Sequence, residues 1–144
     1  MAGTPDALVR QWFDQLWNNG DEGAIDRLLA PNAQVFGLAS GDQPIVGPEA
    51  FKGFYRQFRA GFSDLKVNVM RTVTEGDWVA ASCHCVGTHT GPFLGKAATQ
   101  KAVDFHGMVM IRIAGGQLVE GRNSFDFLTC YQQIDLVPQF DPQA

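Results

Sequence analysis

Apolar side chains recur at three- and four-residue spacing through Leu8, Val9, Trp12, Phe13, Leu16 and Trp17, which predicts an amphipathic helix. Thr4-Pro5-Asp6 supplies its start, with Thr4 as N-cap, Pro5 at the first helical position and Asp6 against the helix dipole. Asn18-Asn19-Gly20-Asp21 stops it. Ile25, Leu28 and Leu29 mark a short second helix ended by Pro31. Residues 33–38 read as a strand and 41–47 as a loop. Pro48 opens a third helix carrying Phe51, Phe54, Tyr55, Phe58 and Phe62, with Gly61 at its end.

The second half changes period. Leu65, Val67, Val69 and Val73 predict a strand, and Glu75-Gly76-Asp77 a hairpin turn. Residues 78–90 form the next strand, 91–100 a long connection, and 102–113 another strand. Gly115-Gly116 makes a tight turn, after which 118–127 returns. Helices followed by an antiparallel meander predict an α+β domain with helices on one face of the sheet. Pro138 and Pro142 mark a C-terminal tail over 135–144 that the pattern leaves unplaced.

Composition narrows the class. A chain of 144 residues with 45% hydrophobic and 18% charged residues suits one globular domain over 1–144. The net charge of -4 argues against a nucleic-acid partner. No apolar run approaches the ~20 residues of a membrane span, and the first residues lack the basic and apolar regions of a secretory signal. Three cysteines do not suggest a disulfide framework. The default expectation is a cytoplasmic domain without membrane contact.

Several ordered motifs carry more information: Trp17-Asn18-Asn19-Gly20-Asp21, Gly47-Pro48-Glu49-Ala50-Phe51, Phe62-Ser63-Asp64-Leu65 and Glu75-Gly76-Asp77. Gly87-Thr88-His89-Thr90-Gly91 followed by Phe93-Leu94-Gly95 is the most specific, and Gly116-Gln117-Leu118-Val119-Glu120 with Asp126 completes the series. With these motifs the chain resembles the SnoaL-like polyketide cyclases, or ester cyclases, of the nuclear transport factor 2-like superfamily over about residues 8–134. The resemblance implies a cone with a curved antiparallel sheet and three helices enclosing a pocket. It also implies a homodimer through the outer sheet face, and no metal or organic cofactor. The family chemistry it implies is aldol closure of a polyketide ester. A base removes a proton α to a carbonyl, and donors stabilise the developing oxyanion.

The chain departs from that pattern where the chemistry lies. The family's acid/base aspartate falls seven residues after the turn glycine, at Asn123, and Asn is no general base. The Gln and His that face it in the family fall at Gly107 and Val109. A further polar position in the first strand falls near Phe36 or Gly37. Strand alternation puts Val103, Phe105, Gly107, Val109 and Ile111 on one face, and Asp104, His106, Met108, Met110 and Arg112 on the other. Gly121, Asn123 and Phe125 share a face, opposite Arg122, Ser124 and Asp126. If the family register holds, the pocket is apolar around Asn123, while His106, Arg122 and Asp126 form an outer polar network across a dimer. A one-residue shift at Gly115-Gly116 would exchange the faces.

Asp126 matches a frequent aspartate of the family, so the resemblance implies a catalytic role for it, and His106 is the second candidate catalytic residue. Asn123, Phe105, Val109, Phe125, Trp17 and Tyr55 are the candidate contacts for a small apolar molecule. Each has a structural alternative: Asp126 as a carboxylate bonding backbone N–H groups at a strand end, His106 as an interface residue, the helix aromatics as core. His84 points opposite to Cys83 and Cys85, so those residues do not converge on a metal. The cysteines, Cys130 included, read as buried packing residues. Gly87 to Gly95 lacks the lysine of a phosphate loop. Lys52, Arg56 and Arg59 read as a solvated basic helix edge. The first expectation is a cofactor-independent acid/base enzyme, of cyclase or isomerase type, acting on an apolar carbonyl compound. A non-catalytic binding domain and a dimeric protein-interaction domain are the alternatives.

Overall fold

The computed structural model describes residues 3–38 and 41–139; Pro142 lies outside them. Helix α1 spans Pro5–Phe13 and continues as a π-helical stretch, Asp14–Asn18. Then come α2 (Gly23–Leu28), β1 (Leu29–Phe36), β2 (Ile45–Val46) and α3 (Gly47–Gly61). Strands β3 (Lys66–Glu75), β4 (Trp78–Thr88), β5 (Ala102–Ala114) and β6 (Gln117–Phe125) follow, and α4 (Phe127–Gln133) ends the series. One curved sheet runs in the order β2-β1-β6-β5-β4-β3, and the helices cover its concave side.

The α+β architecture agrees with the expectation, with several local differences. First, the sheet is antiparallel except for β1, which lies parallel to β6. Second, β1 begins at Leu29, earlier than the pattern predicts. Pro31 disfavours a helical conformation at Ala30, so the chain must extend before the proline. Pro31 also sits within the register shift between Leu29 and Gln34, where a missing N–H breaks no ladder bond. The expected loop over 41–47 contains the two-residue strand β2. Third, the strand expected over 118–127 stops at Phe125, and a fourth helix, α4, occupies the next residues. Its signal lies in Asp126 and Thr129: the Asp126 carboxylate accepts from the Thr129 N–H at 3.0 Å and from the Thr129 hydroxyl at 2.6 Å. That is an N-cap in the first turn.

Polar side chains fasten the layers. Asn18 acts as an extra strand partner at the sheet edge. Its Nδ2 donates to the Val67 carbonyl at 3.0 Å, and the Val67 N–H donates to its Oδ1 at 2.7 Å. The basic edge of α3 is bound rather than merely solvated. Lys52 pairs with Asp26 and Glu49, both at 2.9 Å, and Arg56 with Glu22 at 2.7 Å. Arg59 donates to the carbonyls of Trp17 and Leu65 at 3.0 and 3.2 Å. The exposed ion pairs contribute little to stability. Arg59 matters more, because it satisfies the Trp17 carbonyl left open at the end of the π-helical stretch and ties it to Leu65 just before β3.

The connection after β4 is clamped onto the end of α3. Thr90 and Gly91 donate their N–H groups to the Gly61 carbonyl at 2.9 and 3.2 Å. A Cβ on Gly61 would stand 2.8 Å from the Phe93 Cβ, so glycine there lets Phe93 enter the core. His89 anchors the other side and is fully buried. The Thr99 N–H donates to its Nδ1 at 3.2 Å, so Nε2 carries the ring proton, and that N–H is buried without a partner. Burial, which outweighs an opposing effect of the Gly91 backbone and is joined by a smaller effect of Lys96, holds the His89 pKa below the ordinary imidazole value.

The sign of the resulting pH effect is fixed. The unfolded chain takes up this proton more readily than the folded chain. Stability from a neutral His89 is thus present above the unfolded imidazole pKa of about 6.5 and lost as pH falls through it. The melting temperature should fall between about pH 7 and about pH 5, and His89→Phe should flatten that slope. Equal slopes for the two proteins would contradict this assignment.

Candidate functional site

Between the helices and the concave face of the sheet lies a cavity of about 70 Å³. Trp12, Phe13 and Trp17 reach it from the first helix, and Phe51, Phe54 and Phe58 from α3. Trp12 and Trp17 are five residues apart, which in a regular α-helix would set them about 140° apart around the axis. The π-helical turn, closed by the Asn19 N–H on the Asp14 carbonyl at 2.9 Å, adds the residue that brings both indoles to one side. Trp17 then packs on Tyr55 and Phe58 with ring centroids 4.9 and 6.0 Å apart.

The sheet supplies the opposite wall. Burial along β5 alternates strictly from Ala102 to Ile111, with Val103, Phe105, Gly107, Val109 and Ile111 inside. Phe105 and Ile111 reach the cavity, as do Gly121, Asn123 and Phe125 of β6. Gly115 and Gly116 both adopt positive φ, 60° and 74°, and join the strands in a two-residue turn. A register shift between Arg112 and Ile113 follows at the base of the hairpin. From Arg112 onward the pairs run in step, so Val109 faces Asn123 and Gly107 faces Phe125.

Asn123 is the one amide side chain on the wall among the described residues, beside the Trp12 and Trp17 indoles and the Cys85 thiol. Its Nδ2 donates to the Phe36 carbonyl at 2.9 Å, which leaves the amide oxygen and a second N–H for other partners. Gly37 has φ +88°, and a Cβ there would lie 2.0 Å from the Asn123 carbonyl oxygen, so only glycine lets β1 pass β6 this closely. No carboxylate and no imidazole lines the cavity among the described residues. Cys85 does, but burial pushes its thiol up to about 12, which keeps it protonated and poorly nucleophilic.

The structure brings together Trp17, Phe105, Phe125 and Asn123 at the cavity. Two of the expected contacts lie elsewhere. Val109 is buried on the cavity side but is not among the lining side chains. Tyr55 is buried with its hydroxyl donating to the Leu16 carbonyl at 2.9 Å, so that hydroxyl is occupied within the core. Phe127, missed from the sequence because α4 was missed, closes the cavity beside Phe125, with ring centroids 5.9 Å apart.

Neither candidate base reaches this space. His106 is exposed on the outer sheet face and stacks on its cross-strand partner His84 with centroids 4.5 Å apart. His84 in turn meets Asp104 at 2.6 Å. Asp126 is exposed and engaged as the α4 cap, and its bonds to Thr129 hold its carboxyl below the usual carboxylate range. Arg122 pairs with Glu120 at 2.8 Å and lies over the Phe36 ring at 4.3 Å. Within one chain the side chains of His106, Arg122 and Asp126 each have other partners, and the network expected of them is one across a dimer. His106 lies on the face that the family register assigns to the outside, not the pocket side that a catalytic role requires. The role of Asp126 changes because the strand ends one residue before it.

Cys83, Cys85 and Cys130 are buried free thiols. Among the described residues no three His, Cys, Asp or Glu side chains gather as a metal site. No described helix is long and apolar enough to cross a membrane.

The sequence profile of the SnoaL-like polyketide cyclases matches residues 7–134. The chain is 29% identical over 128 residues to aklanonic acid methyl ester cyclase DnrD of Streptomyces peucetius, covering 88% of each protein. It is equally similar to DauD of Streptomyces sp. strain C5, an enzyme of the same name, covering 79% of that protein. Among solved structures, a chain from Jannaschia sp. CCS1, provisionally assigned as a SnoaL-like polyketide cyclase, superposes with a TM-score of 0.82 at 27% identity over 93% of both chains. IdmH from Streptomyces antibioticus superposes with a TM-score of 0.79 at 26% identity, covering 92% of this chain and 99% of IdmH. With its matching profile, its six-stranded curved sheet and its apolar cavity between sheet and helices, this chain belongs to the SnoaL-like polyketide cyclase family.

Proposed function

We propose that the chain binds a small, neutral, apolar carbonyl compound in its cavity, with Asn123 orienting the carbonyl oxygen, and that it supplies no protein base for ring closure. The composition of the wall carries this reading: aromatic and aliphatic side chains surround one amide, and no group there exchanges a proton near neutral pH. The free N–H of Asn123 can donate to a ligand oxygen. Its partner on β1 fixes the amide in place, so little ordering remains to be done on binding. A charged ligand would find no counter-ion on this wall and would lose its hydration. The expected enzyme with Asp126 or His106 as base gains no support from their positions outside the cavity.

Titration with 1-tetralone, a neutral two-ring ketone, should quench the fluorescence of Trp12 and Trp17 saturably. Asn123→Leu should weaken that binding by about tenfold, the effect of one lost hydrogen bond. Aklanonic acid methyl ester, the compound named for the Streptomyces relatives, should not cyclise above background with the wild-type chain. Cyclisation that disappears in Asp126→Asn or His106→Phe would contradict the proposal, since the Asn variant keeps a good helix cap.

A second copy of the chain is the proposed partner for the outer sheet face. Val73, Met108 and Met110 stand there 62%, 58% and 50% exposed, and Val73, Ala80 and Met110 form one cross-strand row. Such a row of apolar side chains on an open sheet favours burial. Sedimentation should show a dimer for the wild type and a monomer for Met108→Glu combined with Met110→Glu. A monomeric wild type, or a dimeric variant, would contradict this pairing.

A further inference from the structure

Gly107 occupies the middle of β5, where strands rarely favour glycine, and its φ lies outside the positive range that glycine alone adopts freely. The backbone therefore does not require glycine here; the neighbour does. Gly107 and Phe125 are direct cross-strand partners, and both face the cavity side. A Cβ on Gly107 would stand 2.1 Å from Cδ1 of Phe125, 2.5 Å from Cγ and 2.7 Å from Cε1. The aromatic ring lies directly against the Gly107 backbone, in the space where any other residue would place its side chain. Phe127 holds the outer side of the same wall, packed against Phe125 and, at 6.1 Å between centroids, against Phe105.

We infer that the Gly107–Phe125 pair sets the size of the cavity and selects its ligand by ring count. The missing side chain at 107 lets the Phe125 ring recede into the sheet, and the opposite face of that ring becomes wall. The remaining space, about 70 Å³, is smaller than the ~150 Å³ that admits benzene, so a ring enters only as the surrounding side chains yield, and Phe125 limits how far they can. Any side chain at 107 must drive the ring out of its seat. Close packing leaves the ring few other positions, so the displacement changes the shape of the cavity itself. Removal of the Phe125 ring has the reverse effect and lengthens the cavity along β5. The consequence is a division of labour on one strand. Asn123 recognises an oxygen, and Phe125, two residues on and on the same face, limits what is attached to it.

This inference rests on the cavity being a ligand site, and the experiment separates the two. Binding of 1-tetralone and of 9-fluorenone, a neutral three-ring ketone, is measured by tryptophan quenching for the wild type, Gly107→Ala, Phe125→Ala and the double variant. The wild type should favour 1-tetralone. Phe125→Ala should shift the ratio of the two affinities toward 9-fluorenone by about tenfold or more, the range set by a few methylene groups in an apolar pocket. Gly107→Ala should lose affinity for 1-tetralone, and Phe125→Ala in the same chain should restore it. Independent, additive effects of the two substitutions would overturn the pairing. An unchanged affinity ratio in Phe125→Ala would overturn it too, and that ratio decides the matter even where Gly107→Ala fails to fold. A wild type that binds neither ketone overturns the cavity reading itself.

Discussion

Strands β5 and β6 meet at a two-glycine turn, and their two-residue period then determines which side chains can face the cavity. Between Gly107 and Arg112 the strands run in register with Arg122, Asn123 and their neighbours, so each odd position of β5 is inside and each even one outside. One residue more or fewer in the turn would send Asn123 to the outer face and bring Arg122 into the core. The burial of a guanidinium without a partner would then oppose folding. The register is thus held from both sides, by apolar burial within and by charge without.

That constraint also settles the chemical character of the site. The titratable side chains on this hairpin and its flanks stand outside or at the rim: His84 and His106 stacked on the outer face, Arg122 against Glu120 and Phe36, Asp126 at the start of α4. The inside receives aromatic rings and one amide. Asn123 belongs to both the sheet and the cavity wall, since one N–H ties β6 to β1 while the residue lines the cavity. Phe125 and Phe127 extend the wall past the end of β6, and the Asp126 cap between them fixes where strand becomes helix. The Asp126 carboxylate caps α4 and so places the Phe127 ring at the wall.

Much of this arrangement is legible in the sequence, because it depends on local periodicity. The alternation from Val103 to Ile111 and the spacing of Phe51, Phe54 and Phe58 give the two walls directly. The ordered motifs point to the family, and the family register puts Asn123 inside. What the sequence conceals is set by contacts between distant residues. The π-helical turn that aligns Trp12 with Trp17 looks like ordinary helix in the pattern. The parallel pairing of β1 with β6 joins residues 87 positions apart, as in the bond from Asn123 to Phe36. Tyr55 looks like a binding residue until its hydroxyl is found on Leu16. Gly107 looks like a lost polar position, and only the Phe125 ring against it shows what the glycine admits.

The most direct check on the central claim is a crystal structure of the chain soaked with 1-tetralone. The ketone should lie between Trp17, Phe105 and Phe125 with its oxygen on the Asn123 amide, and no carboxylate or imidazole within hydrogen-bond reach. A ketone seated beside His106 or Asp126, or a cavity left without density while the ligand binds in solution, would contradict the account.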